Sequence, residues 1–435
     1  MPYRLGLLGL GTVGTGAVKT LLTNQAQIAQ RAGCELKLAG VADLDLESER
    51  GVDLSAIRTT TDGWELIRDP EIDGIIELIG GEGIAKEFVK GALEAGKDVI
   101  TANKALLAAH GSELFHLAKE KGRKIYFEGA VGGGIPLIQS FYGGLAAARI
   151  TEIHAIINGT SNYILTAMED SGRPFHVILK EAQELGYAEL DPTYDVDGVD
   201  AAHKITLLAS IAFGTEVKLE NVFTEGIRDI TIEDIRFGEQ LGYKLKLLAI
   251  AKDLGSEIEV RVHPTFVPAQ QLLASVRGVF NAVNTYADGL GSTMLCGRGA
   301  GDLPTGHAVI SDAIQAAMDA AARQAIDYTS FFTARKSLRP MSEVETACYL
   351  RLIVKDQPGV LAQIAGIMGE NNISILSMLQ TEMSKNGTCP LVFMTHEAKE
   401  GHVMQALQQI KALPVVVAEP KVIRIEPMHR HRQKD

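Results

Sequence analysis

Four cysteines in 435 residues leave little for a disulfide framework. Cys34, Cys296, Cys348 and Cys389 stand far apart with no Cys-x-x-Cys spacing, which fits a reducing compartment and argues against a structural zinc site. Long apolar runs are missing as well. No stretch approaches the roughly 20 residues that cross a bilayer, so no membrane role is expected. Positive charge is in deficit: 42 lysines and arginines face 54 acidic residues, a formal net charge of −12. A surface of that sign disfavours nucleic acid and anionic lipid as partners. The opening MPYRLGLLGLGTVG has no charged segment set apart from an apolar one, and it reads as a first strand instead of a secretory leader. These absences leave a cytoplasmic enzyme, and its length implies two to three domains.

The apolar run LGLL ends in Gly9-Leu10-Gly11-Thr12-Val13-Gly14, and a helical pattern follows from about Val13 to Gln30. Strand, GxGxxG and helix in that order is the context of a dinucleotide site. Gly9 permits the tight turn, Gly11 lets backbone N–H groups approach a pyrophosphate, and Gly14 lets helix and strand pack closely. Further alternating elements follow: LKLAGVAD ending at Asp43, DGIIELIG ending at Gly80-Gly81, the helix IAKEFVKGALEAG, and the strands DVITAN and KIYFEGA. They predict an α/β, Rossmann-type, doubly wound parallel sheet over residues 1–130, with ligands at the carboxyl ends of the strands. Asp43 is placed to bond the ribose hydroxyls of NAD, or alternatively to cap a helix LDLESER. A phosphorylated ribose wants a cation there, which Ala42 does not supply and Arg50 lies seven residues beyond. The reading leans to NAD with NADP open. Thr101 and Lys104 end the fifth strand, where a cation meets an anionic substrate or the nicotinamide end of the cofactor.

Residues 131–320 read as a second, α+β unit. EGAVGGGIPL offers converging backbone carbonyls for a small monovalent cation, or a glycine hinge. Asn158 to Asn162 lead a strand into a helix, which suits a cap or a carboxylate-binding site. The segment GYAELDPTYDVDGVDAAHK holds five carboxylates, Glu189, Asp191, Asp195, Asp197 and Asp200, and closes on Lys204. Asp200 and Lys204 stand at i and i+4, on one face of a helix. A lysine among carboxylates stays protonated, ready to polarise a carbonyl or hand a proton to an alkoxide, and the remaining carboxylates suit the ammonium of an amino acid. Near 297–325 a second glycine cluster, Gly297 to Gly301, precedes an alanine-rich helix that returns the chain to the first domain.

Residues 332–346 break the periodicity and read as a linker. Beyond them, 347–427 reads strand, helix, strand, strand, helix, strand, a ferredoxin-like order. The loop Lys355-Asp356-Gln357-Pro358-Gly359-Val360-Leu361 resembles the first loop of ACT domains, small modules that bind amino acids between two copies. GLGTVG, TANKALLA, NGTSNYIL, GYAELDPTYDVDGVDAAHK and GRGAGDLPT occur in the order found in homoserine dehydrogenases with a C-terminal ACT domain. The chain resembles that family almost end to end. The tail MHRHRQKD is given no role.

The resemblance implies reversible NAD(P)-dependent oxidation of homoserine to aspartate semialdehyde, on the route to threonine and methionine. It also implies a homodimer or homotetramer and feedback by an amino acid, most plausibly threonine, at the ACT domain. Carried over residue by residue, it makes Lys204, Asp200 and Lys104 the catalytic group. Glu189, Asp195, Thr160 and Lys104 fall on the substrate, and Gly9, Gly11, Thr12, Val13, Gly14, Asp43, Gly80, Thr101, Lys104 and Gly301 on the cofactor. Carbonyls near Glu128, Val131, Gly133 and Ile135 fall on a Na+ site. Whether Lys104 or Lys204 relays the proton stays open. Two rival readings are an aldehyde dehydrogenase with a thiolate nucleophile, for which only Cys296 is near a plausible site, and a non-catalytic amino-acid sensor.

Overall fold

The computed structural model describes residues 1–322, 334–380 and 387–427. Six parallel strands form the first sheet: β1 (Tyr3–Leu8), β2 (Leu36–Ala42), β3 (Arg58–Thr60), β4 (Gly74–Glu77), β5 (Asp98–Thr101) and β6 (Ile125–Tyr126). Their order is β3-β2-β1-β4-β5-β6, so the direction of winding reverses between β1 and β4. Both faces are covered, which is why GIIE and DVIT are buried at every position instead of alternating. Helix α1 (Thr12–Thr23) starts at the glycine motif, while α2 (Gly83–Glu94) and α3 (Lys104–Glu120) follow β4 and β5.

The predicted single helix from Val13 to Gln30 is two. Asn24 leaves helical geometry (φ −108, ψ 18), and a second helix Gln25–Ala32 ends on Gly33 in the left-handed region. The segment after Asp43 forms no helix, so Asp43 caps none.

Strand β7 (Ile150–Ile156) opens the second sheet, and α4 (Gly159–Ser171) and α5 (Val199–Phe213) pack on it. The strands β8 (Tyr243–Asp253), β9 (Glu257–Pro268), β10 (Phe280–Ala287) and β11 (Gly291–Arg298) complete this part. Helix α6 (Asp302–Ala322) then crosses back onto α1. The approach needs two glycines: a Cβ at Gly16 would stand 2.1 Å from the Asp302 carbonyl oxygen, and one at Gly306 would stand 2.4 Å from the Gly16 carbonyl carbon. Residues 323–325 of the predicted alanine-rich helix, the first two residues of the predicted linker and the tail 428–435 lie outside the described residues.

The ACT part consists of β12 (Glu345–Lys355), α7 (Val360–Glu370), β13 (Ile375–Gln380), β14 (Thr388–Thr395), α8 (Glu400–Lys411) and β15 (Lys421–Ile425). Its sheet does not stand apart. The second sheet runs β11-β10-β7-β8-β9-β15-β12-β14-β13, and β15 joins β9 in parallel with Thr265 opposite Arg424 and Phe266 opposite Ile425. The expected linker is also more than a tether. Ser337–Leu338 pairs with Glu257–Ile258, Lys336 bonds Asp253 at 2.5 Å, and Arg339 bonds Glu257 at 2.9 Å.

Buried charge rivets the seam. Glu426 receives Lys252 at 2.8 Å and Arg261 at 2.9 Å, and Arg261, only 1% exposed, also binds Glu259 at 2.6 Å. Arg351 of β12 binds Asp234, which is itself held in a capping box with Thr231.

Candidate active site

The glycine motif shows why each position is small. Gly9 sits at φ +94, and a Cβ there would fall 2.7 Å from the Leu78 carbonyl. A Cβ on Gly14 would stand 2.1 Å from the Gly9 oxygen, so helix and strand need the gap. Gly11 has nothing within 4 Å of its Cβ position and lines a cavity of about 320 Å³ with Gly9, Ala42, Asp43, Leu44, Thr61, Ile79 and Phe88. Open space over backbone N–H groups at a helix start, at the reversal point of a parallel sheet, fits a pyrophosphate.

Asp43 accepts the Leu10 N–H at 2.5 Å, tying β2 to the glycine turn. Arg50 reaches back over the same turn, donating to the Leu10 carbonyl at 2.5 Å and standing 3.6 Å from Asp43 and 3.1 Å from Asp45. Gly80, at φ +81, follows the cavity wall. Thr101 does not line it. Its hydroxyl is spent on buried Glu77 at 2.7 Å, and Glu77 in turn accepts the Ile79 and Gly80 amides and shapes the loop after β4.

A second cavity, about 590 Å³, adjoins the helix start. Its lining brings together Thr12, Val13, Lys104, Val131, Thr160, Glu189, Asp195, Asp200, Lys204 and Gly301. Helix α5 presents Asp200 and Lys204 side by side at 2.7 Å, and Lys204 gives a second bond to the Ile157 carbonyl at 2.8 Å. Lys104, from the start of α3, reaches the other Asp200 oxygen at 3.2 Å. Burial pushes the Asp200 carboxyl up, but the two lysines outweigh it and hold it down at about 2. Burial lowers the Lys204 ammonium, and Asp200 opposes that. Asp195 is pushed up by burial and partly restrained by its bond from Asn158.

Of the two roles the sequence left open for this helix start, the cap is present, and the Asn158 amide is taken up by the protein's own carboxylates. Its oxygen caps α4 at the Ser161 amide (2.8 Å), and its amide donates to Asp195 at 2.7 Å and Asp200 at 3.0 Å. Thr160 lies in the lining, with its hydroxyl on the Tyr187 carbonyl at 2.6 Å.

Other residues around this cavity escaped the sequence reading. Arg298 and Asn281 line it, and the buried Asn281 side-chain oxygen has no partner among the described residues. Tyr194 stacks beside His203 and under Lys104, whose ammonium sits 5.8 Å from the ring centroid. Asn281 is a lone polar residue on a strand and carries no spacing signal, while Arg298 sits inside the second glycine cluster, where only the glycines stand out.

The loop of Glu128, Val131, Gly133 and Ile135 is buried and lies against the second glycine cluster through Gly134 N–H to the Arg298 carbonyl at 3.1 Å. Glu128's carboxylate is consumed in capping a short helix, accepting the Ile138 and Gln139 amides at 2.9 and 2.8 Å. Main-chain carbonyls are what this loop has left to offer a cation. Cys296 is exposed and its thiol is raised by burial of the sulfur, the opposite of an activated nucleophile.

A glycine cradle at a sheet's switch point, opening onto a lysine pair gripped by one buried carboxylate, belongs to the nicotinamide-dependent oxidoreductases. Three family profiles fill in the rest in chain order: homoserine dehydrogenase, NAD binding domain, over residues 9–128; homoserine dehydrogenase over 136–314; and ACT domain over 349–412. The homoserine dehydrogenase of Neisseria gonorrhoeae is 44% identical over 433 residues, covering 98% of this chain and 99% of its own. That of Thiobacillus denitrificans superposes with a TM-score of 0.93 at 42% identity over 99% of both chains. A hyperthermophilic archaeal homoserine dehydrogenase in complex with NADPH matches with a TM-score of 0.62 at 27% identity, over 75% of this chain and 99% of the other. The chain belongs to the homoserine dehydrogenase family. The thiolate aldehyde dehydrogenase reading falls with that assignment.

Proposed function

We propose that the protein interconverts L-homoserine and L-aspartate 4-semialdehyde with NAD or NADP, for threonine and methionine synthesis in the cytoplasm. The observation that carries this is the Asp200–Lys204–Lys104 cluster opening onto the glycine cradle. A bound nicotinamide supplies the acceptor or donor of hydride. The chain's own part is to orient the substrate and manage one proton. Asp195 and Glu189 suit the substrate ammonium, with Asn158 fixing Asp195 in place. Lys204, buried and gripped from two sides, holds the proton of the substrate hydroxyl at Nζ, and Asp200 keeps that nitrogen charged. Lys104, more exposed and resting on Tyr194, steers the substrate toward the cofactor side. Positioning of this kind is worth roughly 7 kcal/mol or more in favourable cases.

Cofactor choice rests on Arg50. It already spans the glycine turn, and it offers a 2′-phosphate the cation that Ala42 withholds, so both nucleotides are accepted. This reading is consonant with the NADPH complex of the archaeal relative. Main-chain carbonyls near Glu128, Val131, Gly133 and Ile135 hold Na+, and an amino acid, threonine first, binds the ACT part of a dimer or tetramer beside the loop Asp356–Leu361. The test is steady-state reduction of each nucleotide by homoserine. Lys204→Ala is expected to lose about a hundredfold to ten-thousandfold in kcat, the usual range for a positioned acid–base group. A variant with near wild-type turnover transfers the role to Lys104, and a wild type inactive with both nucleotides favours the sensor reading.

A further inference from the structure

Arg424 of β15 is 3% exposed and divides its guanidinium between two parts of the molecule. Nε and Nη2 bind Glu400 of the ACT part at 3.1 and 2.5 Å, while Nη1 binds Glu225 at 2.7 Å, outside that part. The ring of Phe223 lies beneath it, 5.0 Å from centroid to Cζ. The backbone at Glu225 is not free to adjust, because its amide donates to the Val262 carbonyl of β9 at 2.8 Å.

The three residues after Glu225 each grip the acidic segment. Gly226 lies backbone to backbone on it: a Cβ there would stand 2.3 Å from the Val196 oxygen and 2.5 Å from the Asp197 Cα. Ile227, fully buried, donates its amide to the same Val196 oxygen at 2.8 Å. Arg228 forks onto both Asp197 oxygens at 2.5 and 3.2 Å and onto the Thr193 hydroxyl at 3.0 Å. The residue enclosed by these grips is Asp195, whose carboxylate meets Asn158 and whose carbonyl accepts the Ser161 hydroxyl at 2.9 Å.

We propose that Glu225, held by Arg424, is a positioning residue for the acidic substrate segment, so that the placement of β15 sets how tightly the amino-acid substrate is bound. The inference rests on the reading of Asp195 as a substrate carboxylate. The path holds one partly buried ion pair, two peptide steps and one backbone hydrogen bond, packed closely enough at Gly226 and Ile227 to transmit displacement instead of absorbing it. Glu426, two residues beyond Arg424, anchors the strand to Lys252 and Arg261, so Arg424 cannot slide along β9 on its own. An effector that shifts the ACT part against β9 therefore acts on substrate KM before kcat.

The test uses the full-length enzyme with Glu225→Gln, which keeps shape and removes the charge, and with Arg228→Lys, an exposed change that removes the fork and leaves the core untouched. In each, KM for homoserine is expected to rise about threefold to tenfold while kcat and the nucleotide KM stay within about twofold. Amide hydrogen exchange across residues 193–200 is expected to quicken in parallel. A purely structural role predicts a lower melting temperature with homoserine KM unchanged, or a common loss in kcat and both KM values, and either result overturns the proposal. Wild-type exchange rates across 193–200 in both variants overturn it as well. If the wild type does not turn over homoserine, the substrate reading fails by itself, and the exchange measurement still decides whether Glu225 holds the segment.

Discussion

Replacing Asp200 with asparagine keeps the shape at the centre of the site and removes its single negative charge. The aspartate contacts Lys204 at 2.7 Å and Lys104 at 3.2 Å, and it accepts from Asn158 at 3.0 Å. With charge centres about 4 Å apart and an effective dielectric of about 20, one such attraction is worth about 4 kcal/mol. Every 1.36 kcal/mol moves a titration by about one pH unit. Burial already pulls the Lys204 ammonium down, and Asp200 is the first-ranking influence opposing it. Asp200→Asn therefore shifts the Lys204 limb of the pH–rate profile to lower pH, by about two to three pH units. The sign differs between directions. Semialdehyde reduction needs the ammonium and loses rate first on the alkaline side of its profile, while homoserine oxidation, which needs the amine, gains its basic limb at lower pH. The assay is kcat/KM in both directions from about pH 6 to about pH 10. A limb that moves less than about half a unit, whatever the loss in rate, places the proton elsewhere and refutes the reasoning.

Arg50→Ala is expected to raise the KM for NADP about tenfold or more and leave that for NAD near its starting value, since a charge-assisted bond is worth roughly 1.5–3 kcal/mol; equal effects on both nucleotides would count against a phosphate contact. Lys104→Met is expected to raise homoserine KM more than it lowers kcat, and a loss of kcat matching that of Lys204→Ala would give the two lysines one role. Glu426→Gln leaves the buried Arg261 and Lys252 short of a carboxylate and is expected to cost about 3–5 kcal/mol, measured by denaturant unfolding. Burial raises the Glu426 carboxyl, but Lys252, His154 and Arg261 hold it well below the ordinary range. Its contribution is therefore complete above the unfolded-state value near pH 4 and fades as pH falls further, so the difference between variant and wild type should shrink on acidification.

Much of this was legible because it rests on local chemistry. GxGxxG after an apolar run leaves few alternatives, and Asp200 and Lys204 at i and i+4 meet wherever a helix forms. The acidic segment was legible by its crowding, although its helix Thr193–Val196, at one turn, is too short to leave a period in the sequence. What the sequence hid is non-local. Nothing near Thr265 or Arg424 announces that they pair, and the pairing rests on two register positions. Lys336 and Arg339 lie in what reads as a linker because Asp253, Glu257 and Glu259, their partners, stand about 80 residues earlier. Asn24 looks like any polar helix residue, and only the packed structure shows the helix breaking there. Asn281 is a single residue on a strand, placed at the cavity by tertiary folding alone.

The seam between β9 and β15 also sets a schedule for synthesis. Thr265 and Arg424 are separated by about 160 residues, and a ribosome adding roughly 5–20 residues per second takes about 8 to 30 s to bridge them. Through that interval the β9 edge at Thr265 and Phe266 stays open, although Phe223–Thr224 and later Ser337–Leu338 take its other positions, and Arg261 and Lys252 wait without Glu426. Unpaired edges attract other strands, so the nascent chain carries an adhesive margin beside a half-built interior until β15 is made. The first sheet waits too, because α6 must return across α1 to cover it. The first sheet is covered once α6 is made, and the second is completed only when β15 follows.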